Sequence, residues 1–245
     1  MVTTIIIYAM AQTLRPSTLL PSKRTLTKVT TVDGIELIVE VAAPLNPSKG
    51  ALLMCHPNPT GGGMMDSHVY KKAANRLPHM AGIEVIRFNT RGTESEQGKS
   101  EGEYGATVTE KYDVEAAINF SFNELGVEKL WVIGWSFGTE LALKWARDPR
   151  IIGLILLSPP MKYSTDLDLD FWRKDGRPIT ALVPEFDEYL NPEEARNTFT
   201  NIPNLNLIAV DGAKHLWVGE PMVHRVLSEI VKVVAPNRLP LATEI

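Results

Sequence analysis

Residues 129–147 read Lys-Leu-Trp-Val-Ile-Gly-Trp-Ser-Phe-Gly-Thr-Glu-Leu-Ala-Leu-Lys-Trp-Ala-Arg, and this stretch decides the fold. Leu130 to Ile133 is a short apolar run of the kind that forms a buried strand, and the residues from Phe137 to Arg147 have helical composition. Between them stands Gly134-Trp135-Ser136-Phe137-Gly138, a Gly-x-Ser-x-Gly pattern in the strand-turn-helix setting it requires. A strand feeding straight into a helix holds Ser136 on a strained turn, with its hydroxyl clear of the backbone and close to the positive end of the helix. Gly134 and Gly138 leave room for that turn. Ser136 is therefore a candidate nucleophile, set against the plain alternative of an ordinary strand-to-helix turn.

Outward from this stretch, two β-rich segments between Thr25 and Val41 flank Asp33-Gly34, a tight-turn dipeptide, and predict an antiparallel hairpin. Further apolar strands are predicted at 51–55, 85–89, 152–157, 179–183 and 205–210, and helices over 67–77, 109–124, 137–147, 192–200 and 220–234. In the last helix Met222, Val223, Val226, Leu227, Ile230 and Val231 form an apolar stripe that packs on a sheet. Strands alternating with helices imply an α/β class fold with a mostly parallel sheet covered on both faces. The reading is one domain over residues 23–235, a leader or arm over 1–22, and a peripheral tail over 236–245. Only seventeen residues, Met161 to Arg177, separate two of the strands. That is too few for a full helical cap, although they could lay Tyr163, Phe171 and Trp172 over a small, open site.

The chain has 245 residues, 44% of them hydrophobic and 22% charged, enough for one large domain. A net charge of −4 without a long basic run argues against nucleic acid as a partner and against binding to a membrane surface. The single cysteine, Cys55, can form no internal disulfide, which fits a reducing compartment. Ile5 to Ala11 resembles a short signal core, but no positive charge precedes it and it is far too short to span a bilayer. A cytoplasmic location is favoured, with export left open by that run; Met10 could serve as an internal start.

Two more motifs bear on chemistry. Cys55-His56-Pro57-Asn58-Pro59-Thr60-Gly61-Gly62-Gly63 follows a predicted strand, and Phe88-Asn89-Thr90-Arg91-Gly92-Thr93-Glu94-Ser95 follows the next, with Gly102, Glu103, Glu110 and Asp113 beyond. With these motifs, roughly Gly50 to Ala235 resembles the α/β-hydrolase superfamily. The chain is most similar to the small lidless serine hydrolases of its dienelactone-hydrolase-like and acyl-peptidase-like branch, whose third strand ends in a His-Pro-x-Pro-x-x-Gly-Gly loop. Thr90 stands where that group usually has Phe, and Glu94 falls where a small residue is common, so this loop is expected to be arranged differently. Dienelactone hydrolases use a cysteine nucleophile, whereas the turn here carries Ser136, and Cys55 is not in such a turn.

The resemblance implies the α/β-hydrolase fold, an eight-stranded-type sheet with minimal cap, and a triad in the order serine, acid, histidine. Of five histidines only His215 and His224 follow Ser136. His224 lies in the apolar-periodic last helix, while His215 lies in a loop just past a strand, so His215 is the expected base. Asp187, four residues beyond Val183, occupies the fold's usual acid position; Glu185 is the alternative, and a solvated turn charge is the plain reading of either. The expected oxyanion donors are the backbone N–H groups of Phe137 and Asn58, since Pro57 and Pro59 have none. His56 either lines the pocket or holds its loop, the latter being favoured. Met64, Met65, Trp135, Phe186 and Trp217 either line an apolar acyl pocket or belong to ordinary core packing. Asp66 and His68 with His56 match no metal-ligand spacing, so neither metal nor cofactor is expected. Arg91 reads as an internal ion-pair partner, with Asp113 the candidate, in preference to a substrate clamp. The implied activity is serine hydrolysis of carboxylic esters or thioesters, with a small-molecule acyl substrate. A peptidase or acyltransferase using the same triad, or a ligand-binding protein on the same scaffold, is the alternative.

Overall fold

Gly50–Cys55 shows how the interior is built: all six residues of this strand are buried, as expected for a strand covered on both faces. The structure, a computed structural model, describes residues 13–48 and 50–244; the signal-like run Ile5 to Ala11 lies outside them. In chain order the elements are β1 (Lys23–Thr30), β2 (Glu36–Ala43), β3 (Gly50–Cys55), α1 (His68–Ala81), β4 (Ile83–Phe88), β5 (Glu94–Ser95) and β6 (Gly98–Lys99). Then follow α2 (Glu110–Asn123), β7 (Leu130–Trp135), α3 (Phe137–Trp145), β8 (Gly153–Leu157), α4 (Asp166–Asp175), β9 (Ile179–Phe186), α5 (Pro192–Thr198), β10 (Leu205–Lys214) and α6 (Glu220–Val234).

Eight strands form one sheet in the order β1-β2-β4-β3-β7-β8-β9-β10, while β5 and β6 make a separate two-stranded ribbon. β2 pairs antiparallel with both β1 and β4, and the remaining ladders are parallel. The first hairpin turns at Gly34, whose φ of 84° explains the Asp33-Gly34 dipeptide. One core lies beneath α2, α3, α4 and α5, with Phe88, Phe137 and Trp172 among its buried residues. The other lies beneath α1 and α6 and includes Tyr70, Trp135 and Trp217. The helix predicted over 220–234 matches α6 residue for residue.

Two features differ from the expectation. Residues 166–175 form α4, opened by a capping box in which Thr165 and Asp168 bond reciprocally. Trp172 is fully buried and donates its indole N–H to the Leu143 carbonyl at 2.9 Å, so it packs on α3 and not over the site. The ribbon β5–β6 has no counterpart in the sequence pattern, because two-residue strands carry no periodic signal. Residues 13–22 return to the main fold: Leu20 donates to the Asn75 carbonyl of α1 at 2.9 Å, and Leu14 donates to Thr243 of the tail at 3.0 Å. Leu241 of that tail is buried in the α1–α6 core. Among the described residues no helix is long and apolar enough to cross a membrane.

Candidate active site

At the end of β7 the chain turns into α3 through Ser136, at φ 52° and ψ −119°. A non-glycine residue in that region is strained and persists only where the surroundings hold it. The hold here is backbone contact. Ser136 donates its N–H to Leu157 of β8 at 2.9 Å, and its carbonyl accepts from the Thr139 N–H at 2.8 Å and the Thr139 hydroxyl at 2.7 Å. A Cβ on Gly138 would lie 1.9 Å from the Cys55 carbonyl, and one on Gly134 would lie 2.3 Å from the Gly138 carbonyl. The Gly-x-Ser-x-Gly spacing is therefore a packing requirement between β3, β7 and α3.

His215 follows β10, the last strand of the sheet, whose pairing with β9 shifts register between Val210 and Lys214. Glu185 accepts the Gly212 N–H at 2.6 Å inside that irregular segment, which occupies the alternative acid in shaping β10. Asp187 instead meets His215: Nδ1 lies 2.9 Å from Oδ2 and 3.0 Å from Oδ1, and the same carboxylate accepts the Tyr189 N–H at 2.9 Å. On the other side of the ring Nε2 lies 2.8 Å from the Ser136 hydroxyl. With a carboxylate at Nδ1, the proton belongs there, and Nε2 is left to accept from the serine. Asp187 and His215 are both buried. His224 lies on α6, with Nε2 3.2 Å from the Leu241 carbonyl.

The Phe137 N–H is the first of α3 and has no intrahelical acceptor. Asn58 is the hub of its loop: its carbonyl accepts from Gly61 and Gly63, and its side chain accepts from the Thr60 N–H at 3.1 Å and hydroxyl at 3.0 Å. His56 is completely buried, and its Nε2 accepts the Thr90 N–H at 3.0 Å. Its proton is thereby fixed on Nδ1, which donates to the Pro57 carbonyl at 2.7 Å. Burial pushes this imidazole down to about 4. His56 thus ties the Asn58 loop to the loop after β4 and does not line a pocket. The unusual Thr90 completes the tie, with its hydroxyl 3.1 Å from both His56 Nε2 and the Thr93 hydroxyl.

The other pocket candidates divide by exposure. Met65, Trp135 and Trp217 are interior, because adjacency to a motif in sequence does not set which face of the sheet a side chain takes. Met64 is half-buried and Phe186 is exposed. Sequence reasoning missed Tyr189, whose ring meets the His215 ring edge-on at 4.6 Å, and Tyr104, which packs on Phe137 at 5.5 Å. Tyr163, foreseen over the site, lies against Phe137 at 6.1 Å, its hydroxyl 3.3 Å from that of Tyr104. Glu140, buried in the first turn of α3, was also missed. It accepts the Lys162 N–H at 2.6 Å and the Ser164 N–H at 2.7 Å, fastening the segment that carries Tyr163 to the helix that starts at Phe137. Nothing in a helix-forming Glu marks such a role in sequence.

Arg91 pairs with Asp113 through Nε at 2.9 Å and Nη2 at 2.8 Å, and with Asp33 of the hairpin turn at 2.9 Å. His56, Asp66 and His68 are not brought together: Asp66 accepts from Arg87 at 3.0 Å, and His68 Nε2 lies 3.2 Å from the Trp217 carbonyl. The side chains of Asp187, Glu188 and His215 do converge, with one ligand-type atom of each within 4.8 Å of the others. That set contains the His215–Asp187 pair already directed at Ser136. Concavities of about 420, 380 and 200 Å³ lie elsewhere on the surface, and none is lined by Ser136.

The profile of the alpha/beta hydrolase fold family matches residues 50–208. The chain belongs to this family. A solved alpha-beta serine hydrolase homologue from Coxiella burnetii is 25% identical, with a TM-score of 0.70 over 87% of this chain and 96% of its own. A serine hydrolase without a lid from Xanthomonas campestris is 23% identical and shares the fold at a TM-score of 0.70, over 91% of this chain and 99% of its own. In sequence, a proline iminopeptidase from Xanthomonas citri is 28% identical over 147 residues, which is 60% of this chain and 43% of that relative.

Proposed function

We propose that the protein is a serine hydrolase that cleaves carboxylic esters or thioesters of small molecules through an acyl-enzyme, with Ser136, His215 and Asp187 as its triad. The observation that carries this reading is the hydrogen-bonded line from Ser136 through His215 to Asp187, at 2.8 Å and 2.9 Å, on a strained turn. The Ser136 oxygen attacks the acyl carbonyl as its proton passes to His215 Nε2, and Asp187 stabilises the imidazolium and fixes its orientation. The developing oxyanion is met by the N–H groups of Phe137 and Asn58. Collapse expels an alkoxide or thiolate, which takes the proton from His215. Water then attacks the acyl-enzyme, passing a proton to His215, and the carboxylic acid departs as Ser136 recovers its hydrogen.

The test is hydrolysis of p-nitrophenyl esters from acetate to octanoate by the wild type and by Ser136→Ala. Turnover that vanishes in the variant supports the reading, and the chain-length profile bounds the acyl group. The likeness to a proline iminopeptidase supports a second reading, an aminopeptidase with the same triad. Prolyl-p-nitroanilide cleaved in preference to every ester would favour it.

A further inference from the structure

We infer that Ser158 is a positioning residue that sets His215 against Ser136 through the backbone, an inference that rests on the triad proposed above. Asp187 and Ser136 hold the imidazole ring, but neither holds the chain that carries it. That chain is poorly supported by the sheet. Among the described residues β10 pairs only with β9, and the register shift between Val210 and Lys214 comes immediately before His215. The His215 carbonyl is nevertheless buried with its residue, where an unpaired acceptor would be costly. Two side chains from neighbouring strand ends meet it: the Ser158 hydroxyl donates at 3.0 Å and the Trp135 indole N–H at 3.2 Å.

Both donors belong to the frame of the strand-turn-helix that carries Ser136. Trp135 immediately precedes Ser136, and Ser158 directly follows Leu157, whose carbonyl accepts the Ser136 N–H. The base is thereby referenced to the same strand ends that fix the nucleophile. Ser158 is completely buried and stands at φ 51°, a left-handed conformation that costs a non-glycine residue and needs a reason to persist. Glycine would satisfy the backbone better but would leave the hydroxyl's place empty. Because Trp135 still serves the carbonyl when Ser158 is changed, loss of the hydroxyl removes a restraint without leaving the acceptor unpaired.

The experiment compares Ser158→Ala and Ser158→Gly with the wild type by the rate of fluorophosphonate labelling, by kcat and KM on the best ester, by melting temperature, and by the proton resonance of His215 Nδ1–H. Both variants are expected to label and turn over about 10- to 100-fold more slowly at unchanged KM, the range for a catalytic group displaced by up to an ångström. The Nδ1 proton is expected to shift or broaden in both, while Ser158→Gly melts no lower than Ser158→Ala. Rates within twofold of wild type in both variants would overturn the inference, as would Ser158→Gly recovering what Ser158→Ala loses, since strain and not the hydroxyl would then matter. Should the wild type neither label nor turn over, the hydrolase reading fails separately, and the Nδ1 proton decides alone: a resonance unaltered in Ser158→Ala overturns the placement.

Discussion

The serine and its two partners are held in contrasting ways. Ser136 stands between the central strands β3, β7 and β8, where its N–H and carbonyl are bonded to Leu157 and Thr139 and where close backbone leaves Gly134 and Gly138 no room for a Cβ. Asp187 and His215 stand at the ends of β9 and β10, at one edge of the sheet, where side chains make the positioning bonds: Glu185 to Gly212, and Trp135 and Ser158 to the His215 carbonyl. What marks the centre is backbone packed too closely to admit a Cβ, and what marks the edge is positioning by side-chain hydrogen bonds. Substitutions at the centre should therefore act through folding, and substitutions at the edge through rate.

The largest expected effect is at the centre. Gly138→Ala puts a methyl carbon 1.9 Å from the Cys55 carbonyl, which no side-chain rotation relieves, so little folded protein should accumulate. Soluble yield and circular dichroism check this, and a variant that melts like the wild type would break the contrast. Next comes the edge: Asp187→Asn should keep the melting temperature within a few degrees yet lower kcat by about 10⁴-fold, as loss of the matching aspartate does in serine proteases. A large fall in melting temperature with modest loss of rate would reverse the assignment of roles.

His56 sharpens the comparison further, since it serves the centre through burial. Its folded-state value of about 4 lies below the ordinary histidine value, so the unfolded chain binds the extra proton first as pH falls. This contribution to stability is complete above the unfolded value and is lost as pH drops through it towards 4. Urea unfolding at pH 7 and pH 5 should show about 2 kcal/mol of loss from this group in the wild type. His56→Asn should be less stable at pH 7 but flatter over that interval; equal slopes would assign the loss to other groups. The smallest effect is expected at the turn between β1 and β2. Arg91 beside Asp33 holds that carboxyl down at about 2, but the carboxylate is one-third exposed, so Asp33→Asn should cost about 1 kcal/mol or less in chemical unfolding.

The same division explains what could be read from sequence. The Gly-x-Ser-x-Gly turn, the hairpin turn and the long strands are local patterns: glycines at tight approaches, apolar runs and an amphipathic α6, each legible over a few residues. The Arg91–Asp113 pair is suggested by the residues themselves and the triad order by the family resemblance, and the geometry brings both sets together. Residues whose role depends on what lies across space were not legible. Ser158 and Tyr189 are ordinary residues in their own segments, and for Met65, Trp135 and Trp217 the sequence leaves pocket wall and core equally open, whereas the fold buries all three. α4 is hard to read in sequence because its acidic first turn, Asp166 to Asp168, hides the Thr165 capping box and the buried Leu169 and Trp172.

The most direct test of the central claim is fluorophosphonate labelling of the wild type and of Ser136→Ala, with the modified residue located by mass spectrometry. The account predicts one adduct, on Ser136, and none in the variant. An adduct on another residue, or labelling that survives in Ser136→Ala, would contradict it.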